Sequence, residues 1–307
     1  MTTLTAMKPR DTFKLFKSAA WFLMVFALAC PGPVSSNPVA PVITHGSASF
    51  VESGSSLVIN QFTDRAIIDW QSFSIGAGDT TQFVQPGASS AVLNRVRGNA
   101  ASLIDGRLLA NGRVFLLNSN GILIGKTGYI DTAGFVASTL DIDDEEFLRG
   151  GDLHFRGSST ASVVNLGTIK ASAGDVVLIG ATVRNDGTIG APRGTVGLGA
   201  GQDVILMAAG DRRIKVRTGN GQIINRGVIE ANIVELEARN GNVAALAIRN
   251  EGRIAATGVT KKGGRIFLSA KGGGKIRNTG RLQARAAKSV PARPRISELA
   301  SSHRLNY

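Results

Sequence analysis

The residues of this chain best suited to chemistry fall in four short stretches. Gly121 to Thr127 reads Gly-Ile-Leu-Ile-Gly-Lys-Thr, which approaches a phosphate-cradling loop. Such a loop needs four residues between its glycines so that successive amides wrap a phosphate. Here Ile122, Leu123 and Ile124 are the only residues between them, and they read as a strand. Asp141, Asp143, Asp144, Glu145 and Glu146 offer oxygen ligands to calcium, but the glycine of a calcium loop is missing and adjacent carboxylates point in different directions. That run is expected to be a solvated loop. Gly194 to Gly201 (GTVGLGAG) has no helix after it and reads as a run of tight turns. Arg212, Arg213, Lys215 and Arg217 alternate with Ile214 and Val216 as one strand face would. Such a face attracts anionic polysaccharide or lipid headgroups, and is otherwise a solvated surface. His45, His154 and His303 are scattered, no Cys or His cluster has metal spacing, and no nucleophile elbow is present. The expectation is therefore no catalytic residue, no metal, no cofactor and no enzyme.

What recurs is a structural phrase, Asn-x-Gly-x-(Ile/Leu). It stands at Asn165-Leu-Gly167-Thr-Ile169, Asn185-Asp-Gly187-Thr-Ile189, Asn225-Arg-Gly227-Val-Ile229, Asn250-Glu-Gly252-Arg-Ile254 and Asn278-Thr-Gly280-Arg-Leu282. The spacings are 20, 40, 25 and 28 residues, the 40 being read as two coils with one phrase blurred. A period in this range marks a solenoid. Asn and Gly tolerate left-handed backbone angles, so each phrase is expected to turn a corner. The following Ile or Leu then points inward. A second apolar strand follows some ten residues later at Val176–Ile179, Val204–Met207, Ile233–Leu236 and Ile266–Leu268. Two or three short parallel strands per coil give a β-helix, right-handed because parallel crossovers almost always are. About 240 residues predict roughly ten coils and an axis near 50 Å. Leucine-rich repeats would need an inward Leu-x-x-Leu-x-Leu pattern, and propeller blades are longer and marked by aromatics.

Composition agrees. The 307 residues include 38 Gly but only 6% aromatics, while 43% are hydrophobic, which suits stacked strands with tight turns. Residues 42–140 are less regular and richer in aromatics, and are expected to cap an otherwise sticky strand edge, with Phe50, Phe62, Trp70, Phe73 and Phe83 as the seal. Lys8, Arg10, Lys14 and Lys17 precede the apolar run Ala19–Ala29. The run is too short to span a bilayer and reads as a secretory signal peptide, 1–29, cleaved after Ala29 or as late as residue 40. Cys30 allows a lipid-anchored alternative, although Ala27 stands where lipoproteins usually place Leu. The formal charge of +13 is concentrated at the ends: residues 1–29 carry a net +3 and the last 25 a net +4. It is thus weak evidence for nucleic acid, which is not expected as a partner. The tail 284–307 is basic and lacks strand alternation, and is expected to be disordered.

Three stretches then carry a resemblance: LVINQFTDRAIIDWQSFSIGAGDTTQFVQPGASSAVLNRVRGN from Leu57, LLANGRVFLLNSNGILIG, and GFVASTLDI ending at Ile142. Over about 43–283 the chain resembles the secretion domain of filamentous-haemagglutinin-like exoproteins of two-partner secretion systems. The resemblance implies a right-handed parallel β-helix with an N-terminal cap. It implies recognition in the periplasm by the POTRA domains of an outer-membrane β-barrel transporter, and a route to the cell surface or beyond. A fibrous adhesin, haemagglutinin or cytolysin passenger normally follows. Here the repeats stop near Leu282, so the chain is either a stand-alone secretion domain or truncated. The family's Asn-Pro-Asn-Gly-Ile motif falls on Asn118, Ser119, Asn120, Gly121 and Ile122, with Ser replacing Pro and losing its fixed φ. The family's Asn-Pro-Asn-Leu motif has no counterpart; Gln85-Pro86-Gly87 lies in that area. Host or cell-surface glycans are a further partner class, and a monomer is expected. The rival reading is a carbohydrate-active β-helix enzyme, which would place acids in register between coils.

Overall fold

In the computed structural model the described residues are 37–210, 212–240, 246–257 and 263–285. The expected signal segment, Cys30 and residues 286–307 of the expected tail lie outside them. From Ser56 onward the chain winds into a right-handed parallel β-helix of three faces. Face A stacks Ser102–Ile104, Ile122–Ile124, Ser162–Asn165, Thr182–Asn185, Gln222–Asn225, Leu246–Asn250 and Lys275–Asn278. Face B stacks Ser56–Gln61, Thr80–Val84, Arg107–Ala110, Tyr129–Thr132 and Thr168–Ala171. It continues through the first halves of Thr188–Ala200 and Val228–Arg239 to Arg253–Ala256 and Arg281–Ala284. Face C stacks Arg65–Ser72, Ala91–Val96, Arg113–Leu117, Gly134–Ser138 and Val176–Gly180, then the second halves of the two long strands and Arg265–Lys271. Face B has nine rungs, an axis of about 40 Å at strand spacing and fewer than the ten coils expected.

Register puts like on like inside the coil. Leu108, Ile130, Ile169, Ile189, Ile229 and Ile254 form one fully buried column on face B. Val114, Phe135, Val176, Val196 and Val234 form another on face C. Each fully buried aliphatic side chain contributes about 1.5–3 kcal/mol. Repetition of these columns explains how a chain poor in aromatics holds a core.

Two excursions account for the shortfall in coils. The 40-residue gap between Asn185 and Asn225 is one coil, not two, because Thr182–Asn185 pairs directly with Gln222–Asn225. The surplus residues leave the stack as an antiparallel hairpin, Asp203–Leu206 with Ile214–Thr218. Val204–Met207 therefore belongs to an outer layer rather than to a coil. Between Ser138 and Ser162 a second excursion adds the helix Asp144–Arg149 and the strand Leu153–Arg156, which joins the hairpin. Together they cover face C, whose outward Phe115, Val136, Val177 and Ile179 form a second core with Phe147, Phe155, Val204, Ile214 and Val216. Buried on both sides, face C reads as continuous apolar runs rather than an alternation. The basic stretch behaves as a strand face: Ile214 and Val216 turn inward while Lys215 and Arg217 are exposed.

The glycine run 194–201 is mostly strand, not turns. Gly197 and Gly199 lie beneath the hairpin, where an added Cβ would stand 2.7 Å from Ile214 Cγ1 and 3.1 Å from Val204 Cγ1. One rung on, Glu235 and Glu237 take their place, both buried. Glu235 Oε2 accepts from the Arg213 and Ile214 amides at 2.6 and 3.1 Å, and Glu237 Oε1 accepts from Val216 at 2.9 Å. Two carboxylates thus terminate the hairpin edge as a further strand would. Gly197→Val is expected to lift the hairpin by overpacking, at a cost of about 1–3 kcal/mol. Faster tryptic cleavage after Arg212, Arg213 or Lys215 would report it, and unchanged protection would count against this packing account.

The acidic run is not a solvated loop. Asp143 caps the helix, its Oδ1 accepting from the Glu145 and Glu146 amides at 2.9 and 3.0 Å, and the acids fill the first turn, where the helix dipole favours them. The antiparallel part of the N-terminus is confined to Val39–His45, paired with Arg65–Ser72, and Ala48–Ser53, paired with Ser56–Gln61. The remainder of the expected 42–140 cap belongs to the coil stack. Trp70, Phe73 and Phe83 are buried and Phe50 meets Trp70 edge-on at 5.8 Å. Phe62, expected in the seal, is 63% exposed: Leu57, Ile59 and Gln61 point inward, so strand alternation turns Phe62 out.

Candidate functional site

The repeat residues meet at the corner from face A to face B, but not as left-handed turns. None of Asn165, Asn185, Asn225, Asn250 or Asn278 has positive φ, nor do their partner glycines. The asparagines end the strands of face A with side chains inward and form a continuous ladder. Nδ2 of Asn165, Asn185, Asn225 and Asn250 donates to Oδ1 of the next Asn at 2.8, 2.8, 2.7 and 2.7 Å. Gly167, Gly187, Gly227, Gly252 and Gly280 form a second column, and an added Cβ on each would stand 2.0–2.3 Å from a backbone oxygen of the coil before. The expected reason was conformational freedom; the observed one is close backbone approach. At the corner two successive amides, as in Arg226 and Gly227, donate to one carbonyl of the previous coil, that of Asn185. The backbone bends without stranding a donor.

The Asn118–Ile122 turn lies at a different corner, from face C to face A. Asn118 is buried; its amide donates to Ser138 O at 3.0 Å and its Nδ2 to Ala100 O and Ser102 Oγ at 2.9 and 3.0 Å. Its Oδ1 accepts from the Asn120 amide at 2.9 Å, and Gly121 N closes the turn on Asn118 O at 3.0 Å. Gly121 sits at φ +114°, a conformation that disfavours any side chain. Ile122 points into the core. Ser119 takes the turn position that Pro favours, and the polar bonds around it replace the missing ring. Ser119 and Asn120 remain exposed, Asn120 Nδ2 reaching Gly98 O at 2.9 Å.

Beside the turn is a groove of about 250 Å³ lined by Arg95, Arg97, Asn99, Leu117, Ser119 and Thr139, among others. Arg95 is buried under it. It bonds Asp141 at 2.8 Å, Asp144 at 2.7 Å and Ile142 O at 2.9 Å, while Arg97 holds Asp69 at 2.7 Å. Burial works against the Arg95 charge, but the bonds and attraction of Asp144 and Asp141 outweigh it and raise its pKa above the ordinary value. The cluster ties the outer helix to the coil behind the turn. Sequence reasoning saw the acids and missed their cation, which lies 46 residues before Asp141 with no local periodicity to reveal it.

A capped, three-faced parallel coil with an outer layer on one face and an Asn-Ser-Asn-Gly-Ile corner defines a β-helical secretion domain. The chain belongs to the TPS secretion domain family, the two-partner secretion domains, whose model matches residues 39–283. It is 35% identical over 246 residues to a heme/hemopexin-binding protein of Haemophilus influenzae strain Rd, covering 76% of this chain and 27% of that protein. A second heme/hemopexin-binding protein of Haemophilus influenzae is 44% identical over 87 residues, 28% of this chain and 9% of that one. The chain thus spans about a quarter or less of the curated relatives it matches. Among solved structures, the HMW1 secretion domain from Haemophilus influenzae superposes with TM-score 0.72 at 35% identity, covering 81% of this chain and 66% of that one. The filamentous hemagglutinin secretion domain shares the fold at TM-score 0.53 and 14% identity, covering 81% and 97%.

The register of face B lacks the close acid pairing that the enzyme reading requires. On face B, Asp131 and Glu230 occupy one column with Lys170 and Gly190 between them, three rungs or about 14 Å apart. Paired glycosidase carboxylates stand about 5–9.5 Å apart. Glu235 and Glu237 are committed to Arg212, Lys271 and the hairpin amides.

Proposed function

We propose that the Asn118–Ile122 turn and its groove are read by the periplasmic POTRA domains of an outer-membrane β-barrel transporter. The chain would leave the cell by that route after loss of its N-terminal signal. The observation that carries this reading is the combination of a turn tied down by its own bonds with two exposed polar residues at its tip, Ser119 and Asn120. Outside the cell the coils would stack in order from the cap. Each corner supplies carbonyls to the next, so pairing requires no outside template. The exported surface would serve haemagglutinin-type adhesion. A host or cell-surface glycan fits the groove of about 450 Å³ on face B, where Gly190 leaves a gap between Lys170 and Glu230. Lipid anchoring at Cys30 is the lesser reading, and mass spectrometry of the mature N-terminus distinguishes it.

The test is a secretion assay in cells with and without the transporter. Deleting the transporter should trap the protein in the periplasm. Ser119→Arg combined with Asn120→Arg should lower the secreted fraction sharply. The fold should lose only about 1 kcal/mol, from the Asn120 bond. Undiminished secretion of that variant would refute recognition at this turn.

A further inference from the structure

Face C opens with a column of its own. Arg65, Ala91, Arg113 and Gly134 are in register, and Asp175 lies beside Gly134, its carbonyl accepting from Phe135 N at 2.9 Å. Arg65 and Arg113 are two rungs apart, about 9.6 Å between backbones, with only the Ala91 methyl between them. Arg65 lies over the Phe147 ring at 5.4 Å and donates to Phe147 O at 2.5 Å. Its pKa is lowered, first by burial and then by the charge of Arg113, with the charge of Asp64 opposing.

Two more arginines approach from the far side. Arg213 bonds Asp175 Oδ2 at 2.7 Å, and Arg193 stands at the next corner. Asp175 is the acid lining this cleft, and its Oδ1 already accepts from Thr195 N at 2.8 Å. Among the described residues neither the Arg113 nor the Arg193 guanidinium has a hydrogen bond or ion pair. The space between these groups is a cleft of two lobes. One, about 250 Å³, reaches Arg113, Arg193 and Arg213; the other, about 130 Å³, reaches Arg65, Arg113 and Arg213. Phe115 and Leu206 line both. Small residues at Ala91 and Gly134 keep the cleft open.

We infer that this cleft binds an oxyanion, a carboxylate, phosphate or sulfate, held between the Arg65 and Arg113 guanidinium groups over the apolar floor of Phe115 and Leu206. Like charges held close in a partly buried place destabilise one another, and an oxyanion between two planar forks relieves that repulsion through paired hydrogen bonds. The source is either a free inorganic ion or an acidic sugar whose ring rests on the apolar floor. Neither requires the transporter reading.

Calorimetric titration of the chain at low ionic strength with inorganic sulfate, inorganic phosphate and glucuronate, each separately, tests this. Saturable binding of at least one is expected, weakened about tenfold or more by Arg113→Gln. Arg217→Gln, on the exposed strand face, should leave it unchanged. Arg65→Gln should weaken binding as well, and Arg113→Gln carries the test alone if loss of the Phe147 contact unfolds that variant. Tighter binding of glucuronate than of the inorganic ions places the source in an acidic sugar; comparable affinities place it in a free ion. Absence of saturable binding to all three, or equal losses in Arg113→Gln and Arg217→Gln, would overturn the site.

Discussion

Gly227→Ala is expected to cost about 3 kcal/mol or more, a large fraction of a domain's stability. The alanine Cβ would stand 2.0 Å from Gly187 O and 2.8 Å from Asp186 C, both backbone atoms of the coil before. Neither can swing away as a side chain tip would. The rungs must separate, and with them the bond from Val228 N to Gly187 O at 2.9 Å and the pair from Arg226 and Gly227 to Asn185 O. Gly87→Ala is the matched control, because nothing lies within 4 Å of its added Cβ and its φ is not in the left-handed range. It should shift stability by no more than about 0.5 kcal/mol. Urea denaturation of both variants decides the matter. Equal midpoints would show that the glycine column is not a close-approach device.

Asn185→Ala is expected to cost about 2–4 kcal/mol. Asn185 is fully buried and bonded on both sides, accepting from Asn165 at 2.8 Å and donating to Asn225 at 2.8 Å. Its removal strands the Asn165 Nδ2 donor, which keeps only a long contact to Thr188 O at 3.4 Å, and the Asn225 Oδ1 acceptor. Polarisation along an unbroken row of amides adds to the loss. Asn278→Ala, at the exposed last rung, should cost under about 1 kcal/mol because water replaces its bond. The ordering matters more than either value: buried, doubly bonded ladder residues predict a steep decline from the middle to the exposed end, whereas corner residues whose amide bonds add nothing to stability predict equal costs. Denaturation of the two variants side by side would separate these.

The coil was legible in the sequence because a β-helix repeats its environment. Each turn gives the same register position the same neighbours, so Asn165 to Asn278 and Ile169 to Ile254 are written as a periodic phrase. The phrase starts at Asn165 because Ile124 holds the equivalent place one rung earlier. The Asn118–Ile122 corner was legible for another reason: an Asx turn closed by a positive-φ glycine needs those residue types in that order. The resemblance to the secretion domains rested on such local strings as well.

Other features were not written locally. That the 40-residue interval is one coil, that Gly197 and Gly199 lie under Ile214, and that Arg95 neutralises Asp141 and Asp144 depend on pairs far apart in the chain. So does the convergence of Arg65 and Arg113, which share a column only because two full coils return the chain to the same register position. The sequence by itself determined the repeat, its inward columns and its corner residues, because each arises from nearest-neighbour stacking at a fixed period. Only the tertiary structure decided which side of face C is covered, where the cap ends, what the glycines are for and which charges meet. Those outcomes follow from backbone approach and from excursions out of the stack, neither of which leaves a periodic mark in the chain.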